Sequence, residues 1–223
     1  MMQHSSGSVI QPPPQDPAWL KPFLAHCHKR RYPNKTDFIH PGDAADSVFY
    51  LVEGQVTVLM EDDDGREIIL TYLNKGEFIG EMGMFMPQPT RSVTVRTRSP
   101  CELAEISYAK LEQLFANELA PYTKDILYAI GRQLTERLVA TSQKVSHLAF
   151  LDVTGRIAGT LLELCKQPDA MTHPDGMQIR ITRQEIGRIV GCSREMAGRV
   201  LKDLEERGLI SVSGKTIVVF GTR

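Results

Sequence analysis

A chain of 223 residues, 42% of them hydrophobic, can fill one or two packed cores, and two is the expected number. Its net charge of −1 argues against non-specific coating of a polyanion, and no apolar run approaches a membrane span. The charge is uneven: from Gly155 onward there are 11 Lys/Arg and 8 Asp/Glu, against 15 and 19 before it, so the C-terminal part is the positive one. Cys27, Cys101, Cys165 and Cys192 are scattered without C-x-x-C pairing, which favours a reduced, cytoplasmic setting over a disulfide framework or a zinc site.

The opening "MMQHSSGSVIQPPPQDPAW" lacks the charged start and apolar core of a signal peptide and reads as a polar, proline-rich tail over residues 1–20. His26-Cys27-His28 alternates metal-binding residue types but has no further ligands at suitable spacing. The better reading is a basic surface turn continued by Lys29, Arg30 and Arg31, with no metal.

Between Thr36 and Ser107 short apolar runs alternate with turns. "SVFYLVEGQVTVLMEDDDGREIILTYL" is broken by Gly54 and by the hairpin signal Asp64-Gly65, and "RSVTVRT" and "CELAEIS" continue the pattern. Many short strands at this spacing predict a closed or rolled antiparallel structure. Inside the set lies "GEFIGEMGMFMPQPTRS". Gly76, Gly80 and Gly83 let the backbone approach a ligand, Glu81 supplies a carboxylate, and Arg91-Ser92 supply a cation and a hydroxyl. An arginine beside backbone amides can hold a phosphate and a carboxylate can accept from a ribose hydroxyl, which would make a nucleotide pocket. The competing reading is plain turns with Glu81 on the surface.

From Pro121 to Phe150 neither glycine-proline punctuation nor strand alternation occurs. Leu127, Gly131, Leu134, Leu138, Thr141, Val145 and Leu148 follow a heptad seam, which predicts a long helix pairing with a second copy. Thr141 interrupts the seam, Ser142 lies beside it and Arg137 one turn before it, so the helix could offer hydroxyls to a ligand; alternatively the polar residue only fixes register. "FLDVTGR", ending in Gly155-Arg156, reads as a hinge.

"TRQEIGRIVGCSREMAGRVLKDLEERG" holds two helix-like runs around a Gly-Cys-Ser break. Thr182 and Glu185 have capping-box spacing, Ile186, Ile189 and Val190 point inward, Gly191 permits the turn and Ser193 is an N-cap. At roughly 100° per residue, Arg194, Glu195, Arg199 and Lys202 share one arc of the second run, while Ala197, Val200, Leu201 and Leu204 fill the other. This predicts a helix-turn-helix whose second helix enters the major groove. Arginine can bridge O6 and N7 of guanine and glutamate can accept from the cytosine amino group, so Arg194, Glu195 and Arg199 form a base-reading set; a solvated charged face is the alternative. "LISVSGKTIVVF" then reads as a hairpin wing around Ser213-Gly214-Lys215.

"LAFLDVTGRIA", "KQPDAMTHPDGMQI", "ITRQEIG", "VGCSRE" and "GKTIVVFGTR" carry a clear resemblance to the cyclic-AMP receptor proteins of the Crp/Fnr transcription-regulator superfamily. The resemblance covers nearly everything after residue 20. It implies an α+β chain: a tail over 1–20, a cyclic-nucleotide-binding β-roll over 21–120, a dimerisation helix and hinge over 121–152, and a winged helix-turn-helix over 153–223. It implies a cAMP-responsive homodimer that binds palindromic promoter DNA with TGTGA-type half-sites and contacts RNA polymerase. The cAMP contacts it implies are Gly80 and Glu81 for ribose, Arg91 and Ser92 for the cyclic phosphate, Arg137 near the pocket, and Thr141 and Ser142 for adenine, one of them across the dimer. DNA readers fall on Arg194, Glu195 and Arg199, with Thr182, Arg183, Ser193 and Lys202 near phosphates. Polymerase contacts fall on the loop Ala170 to Gly176, including Thr172, His173 and Gly176, and on His28, Glu105 and Lys110.

Three features depart from the type member: Arg30 replaces a histidine of the second polymerase surface, Met196 replaces a threonine of the recognition helix, and the tail is longer. "CSREMAGRV", "GEMG" and "LYAIG" also resemble the Clp regulators of plant-pathogenic bacteria, a branch that binds DNA without ligand and loses it with cyclic di-GMP. That branch has a glutamate where Ser92 stands, so Ser92 with Thr141-Ser142 favours cAMP. An enzyme, a cyclic-nucleotide hydrolase, would want a metal cluster or a placed general base, and only Glu81 is at hand; no catalytic residue is expected. A constitutive architectural DNA binder is the third reading.

Overall fold

The computed structural model describes residues 16–86 and 89–222. A short helix, α1 (Leu20–Ala25), precedes eight strands: β1 (His28–Tyr32), β2 (Asp37–Ile39), β3 (Ser47–Glu53), β4 (Gln55–Glu61), β5 (Glu67–Asn74), β6 (Phe78–Ile79), β7 (Thr94–Thr97) and β8 (Cys101–Ser107). They form two antiparallel sheets, ordered β1-β8-β3-β6 and β2-β7-β4-β5. The apolar run of β3 is continuous because the strand is covered on both faces. Phe49 and Leu51 pack inward with Val56, Leu73 and Val95 of the other sheet, while Val48 and Tyr50 pack outward against helices.

The outer layer contains α2 (Tyr108–Ala116), capped by the Ser107 hydroxyl accepting from Lys110 N at 3.3 Å, and the first half of α3 (Thr123–Phe150). Trp19 and Leu20 also belong to it, so the expected tail does not run to residue 20. Trp19 is 7% exposed and stacks on Phe78 with centroids 5.8 Å apart. A large apolar ring gains more from this aromatic cluster than from water, about 0.5–1.5 kcal/mol per aromatic pair beyond area burial. Residues 1–15 of that tail lie outside the described residues.

The 28 residues of α3 span about 42 Å. Ile126, Ile130 and Gln133 anchor its first half, but Leu138, Val145, Leu148 and Phe150 are exposed. The seam residues in the second half therefore form an uncovered apolar stripe. The helix breaks at Leu151, whose ψ of 141° is extended, and Asp152 caps α4 (Val153–Leu164) by accepting from Gly155 N at 2.7 Å. The break thus precedes the expected hinge end at Gly155-Arg156, because the Asp152 carboxylate draws Gly155 into the first turn.

The remaining core packs α4 with α5 (Arg183–Val190) and α6 (Arg194–Glu206) against a sheet. Its strands are β9 (Met171–His173), β10 (Gly176–Arg180), β11 (Ile210–Ser213) and β12 (Thr216–Phe220), ordered β11-β12-β10-β9. The expected wing, β11–β12, is joined through β12 to the β9–β10 hairpin. Among the described residues no helix is long and apolar enough to cross a membrane, and no group of three or more His, Cys, Asp or Glu is placed to hold a metal.

Candidate functional site

Strand β6 ends at Ile79, and the next residue, Gly80, with φ of +80°, turns the chain into a short 3-10 turn at Glu81–Met84. A side chain there would strain this left-handed backbone, and its Cβ would collide with the Arg91 guanidinium. The turn drives Glu81 inward until it is 1% exposed. Glu81 Oε1 accepts from Arg137 Nη1 of α3 at 2.5 Å, and Oε2 is buried with no hydrogen-bond partner among the described residues. A buried carboxylate oxygen without a donor is costly, and the expectation is that something supplies one.

Arg137 also donates to Phe78 O at 2.7 Å. One turn earlier, buried Gln133 accepts from Phe78 N at 2.8 Å and donates to Phe78 O at 2.7 Å. Helix α3 therefore grips one residue of β6 next to the glycine-glutamate turn. Glu77 lies 3.7 Å from Arg137; burial pushes its carboxyl above the ordinary range, opposed by the Asn74 amide and Arg137.

Among the described residues, Arg91 is held without a counter-charge. It donates to Ser47 O at 2.5 Å, to Gly80 O at 3.4 Å and to the Tyr108 hydroxyl at 3.3 Å, and the Tyr108 hydroxyl donates to Gly80 O. Among the described residues no carboxylate lies within 4.0 Å of it. A fixed cation bonded only to neutral oxygens is ready for an anion.

These groups face a cavity of about 500 Å³, lined by Gly80, Glu81, Arg91, Ser92, Arg137 and Thr141. The size suits a small ligand. Ser142 is not in this wall: its hydroxyl donates to Leu138 O on an exposed part of α3. Sequence reasoning missed Tyr108, Gln133 and Lys144. Lys144 lines the cavity and donates to Leu70 O, and burial lowers its pKa. Thr160 and Glu163 of α4 and Ile189 of α5 close the far wall, a contact across domains that no local motif announces. The arrangement can take a ligand that carries a hydroxyl donor for Glu81, an anionic group for Arg91 and an apolar body.

In the C-terminal part, Thr182 caps α5 by accepting from Glu185 N at 3.1 Å, and Ser193 caps α6 by accepting from Met196 N at 3.1 Å. The reciprocal half of the expected capping box is replaced, because the Glu185 carboxylate accepts from Tyr72 instead. Gly191, with φ of +70°, makes the turn, and Gly187 lets Cys192 O approach so closely that a Cβ would sit 2.6 Å from it. Ala197, Val200, Leu201 and Leu204 are buried, while Arg194, Glu195, Arg199 and Lys202 are exposed on the other face. Among the described residues Arg194, Glu195 and Arg199 have no ion pair; Lys202 lies 3.4 Å from Glu206. Arg183 is exposed at the first turn of α5. The free arginine-glutamate face at the N-terminus of α6 has the make-up that reads base edges.

Of the remaining expected contacts, Thr172, His173 and Gly176 meet in the β9–β10 hairpin, where His173 pairs with Gly176. His28 and Glu105 are cross-strand partners in β1–β8, and Lys110 lies in the first turn of α2, directly after β8.

Residues 29–118 match the cyclic nucleotide-binding domain family, and residues 179–210 match the bacterial regulatory proteins of the crp family. The chain is 60% identical over 207 residues to the cAMP-activated global transcriptional regulator Vfr of Pseudomonas aeruginosa, covering 92% of this chain and 94% of that protein. It is 55% identical over 208 residues to the CRP-like protein Clp of Xanthomonas euvesicatoria pv. vesicatoria, covering 93% and 90%. Among solved structures, the c-di-GMP responsive global regulator CLP of Xanthomonas campestris aligns with a TM-score of 0.86 and 56% identity, over 91% of this chain and 98% of that one. A CRP/FNR-family transcriptional regulator from Thermus thermophilus, 22% identical over 86% of this chain and 93% of that one, shares the fold with a TM-score of 0.72.

Proposed function

The chain belongs to the CRP family of bacterial transcription regulators, and from that premise we propose that it is a homodimeric, sequence-specific DNA-binding protein switched by cAMP. The observation that carries the ligand reading is one cavity that holds a buried carboxylate half-satisfied, and an arginine without a counter-charge, among the described residues. Arg91 and Ser92 take the cyclic phosphate. Gly80 and the open oxygen of Glu81 take the ribose hydroxyl, and Arg137 holds Glu81 in place. Thr141, with Ser142 reaching from the second copy, meets adenine.

The uncovered stripe Leu138, Val145 and Leu148 is the seam for that second copy. Two recognition helices then lie about 34 Å apart, one turn of DNA, on TGTGA-type half-sites. Arg194, Glu195 and Arg199 read bases, and Thr182, Arg183, Ser193 and Lys202 meet phosphates. The β9–β10 hairpin and the His28, Glu105 and Lys110 patch face RNA polymerase. A ligand moves such a protein only through contacts that differ between its two arrangements, and the cavity wall contributed by α4 and α5 supplies them. The family's members are regulators, and Glu81, committed to Arg137, binds rather than catalyses.

A second reading, inhibition by cyclic di-GMP, is favoured by the 56% identity to the c-di-GMP responsive regulator. Ser92, a hydroxyl beside Arg91 in the cavity wall, weighs for the cyclic mononucleotide, since it can donate to the same phosphate. Calorimetric titration of the protein and of Arg91→Leu with each nucleotide decides between them. The cAMP reading expects saturable cAMP binding that Arg91→Leu abolishes; binding of cyclic di-GMP alone would replace it with the second reading.

A further inference from the structure

Beside the cavity, the β-domain is clasped to the first helix of the helix-turn-helix. The Tyr72 hydroxyl of β5 donates to Glu185 Oε1 of α5 at 2.8 Å. Arg98 lies over the Tyr72 ring, 4.2 Å from its centroid, and its Nη2 is 3.6 Å from both Glu185 Oε1 and Asp169 Oδ2. A second pair joins the same elements: Arg188 Nη1 of α5 is 2.8 Å from Glu67 Oε2, whose other oxygen is 3.1 Å from Arg96 Nη1. Asn74 at the end of β5 donates to Gln167 at 3.3 Å.

Strand β5 therefore serves both sides. Leu70, Thr71, Tyr72 and Leu73 line the cavity, while Tyr72 also packs on the core that holds α5 and α6. Burial, and after it the Glu185 charge, push the Tyr72 phenol well above its usual range, so the hydroxyl stays protonated and remains a donor at every working pH. A surface ion pair is worth little, but this carboxylate is half-buried, accepts the Tyr72 hydroxyl and sits beside a guanidinium stacked on the same ring, which restricts the three groups to one arrangement.

We infer that Tyr72, Arg98 and Glu185 are positioning residues for DNA binding: they key helix α5, and through it recognition helix α6, to the β5 wall of the nucleotide cavity. Occupancy of the cavity is then passed to the DNA-reading face through β5 as well as through α3. The inference rests on the reading that the cavity takes a cyclic nucleotide.

The test uses the full chain with Arg98→Gln, which removes the cation beside Glu185 and lies outside the cavity lining, with Glu185→Gln, and with both. Fluorescence anisotropy gives the ratio of DNA dissociation constants without and with saturating cAMP, calorimetry gives cAMP affinity, and hydrogen exchange without nucleotide reports α5. The expected result is a ratio that falls from tenfold or more to below about threefold in each single variant and no further in the double. cAMP affinity of the DNA-free protein stays within about threefold, and α5 exchange rises. A variant ratio equal to that of the unaltered protein overturns the inference, as does a ratio lost only because cAMP no longer binds. If the unaltered protein shows no nucleotide effect, the cavity reading has failed on its own; unchanged α5 exchange would then remove the clasp too, and raised exchange would keep it as a positioning element.

Discussion

Replacing Glu81 with glutamine, and cAMP with its 2′-deoxy analogue, isolates one contact. Glu81 Oε2 is buried without a partner among the described residues, and a ribose hydroxyl donating to the carboxylate forms a hydrogen bond worth about 1.5–3 kcal/mol. At 1.4 kcal/mol per factor of ten, the unaltered protein should bind the deoxy analogue roughly 10–150-fold more weakly than cAMP. In Glu81→Gln the acceptor is neutral and the bond about half as strong, so that discrimination should shrink to under about tenfold. The variant should still fold. Losing one member of a fully buried pair costs about 3–5 kcal/mol, but Arg137 is 24% exposed at its side chain and keeps Phe78 O, so the loss is smaller. Calorimetric titrations of both proteins with both ligands, below their thermal midpoints, complete the cycle. Equal binding of cAMP and its deoxy analogue by the unaltered protein, or equal discrimination by the two proteins, would refute the assignment.

Gly80→Ala drives a methyl group into the Arg91 guanidinium on a left-handed backbone, so it should weaken cAMP binding at least about tenfold while leaving DNA-domain stability unchanged, as two-domain calorimetry would show. Arg194→Ala should cost about 1–3 kcal/mol at one base pair and relax preference there, checked on a panel of single-base operator variants; equal loss on all sequences would demote it to a phosphate contact. Ser193→Ala removes the cap of α6 and should lower stability by about 1 kcal/mol in urea unfolding. The hydrogen bonds from Arg96 hold the Asp37 carboxyl below its usual range, so its stabilisation is full above the unfolded value of about 3.9 and is lost as pH falls through the lower folded value. Asp37→Asn should therefore melt earlier than the unaltered protein near neutrality, the gap closing in acid.

The local parts of the fold were legible because each follows from a short-range rule. The apolar arc of α6, the caps Thr182 and Ser193, the Gly191 turn and the wing all depend on residues within a few positions of one another. So does the bend at Gly80 that turns Glu81 inward, although only the structure decides that Glu81 is buried rather than at the surface. What stayed hidden depends on distant partners. Trp19 reads as tail until Phe78 and Tyr50 are placed beneath it. Gln133 is a polar residue on a helix until its amide meets both the N–H and the carbonyl of Phe78. Glu185 completes a capping box by spacing, yet Tyr72 and Arg98, 113 and 87 residues earlier in the chain, offer it a hydroxyl and a cation that the local amide cannot match.

The central claim, that a cyclic nucleotide in this cavity governs DNA binding, is tested most directly by anisotropy titration of one TGTGA-type palindromic duplex at a fixed, stated salt concentration, with and without cAMP. Tightening by tenfold or more, at least about 1.4 kcal/mol of coupling, is the predicted result. Tight binding without nucleotide that cAMP leaves unchanged would contradict it.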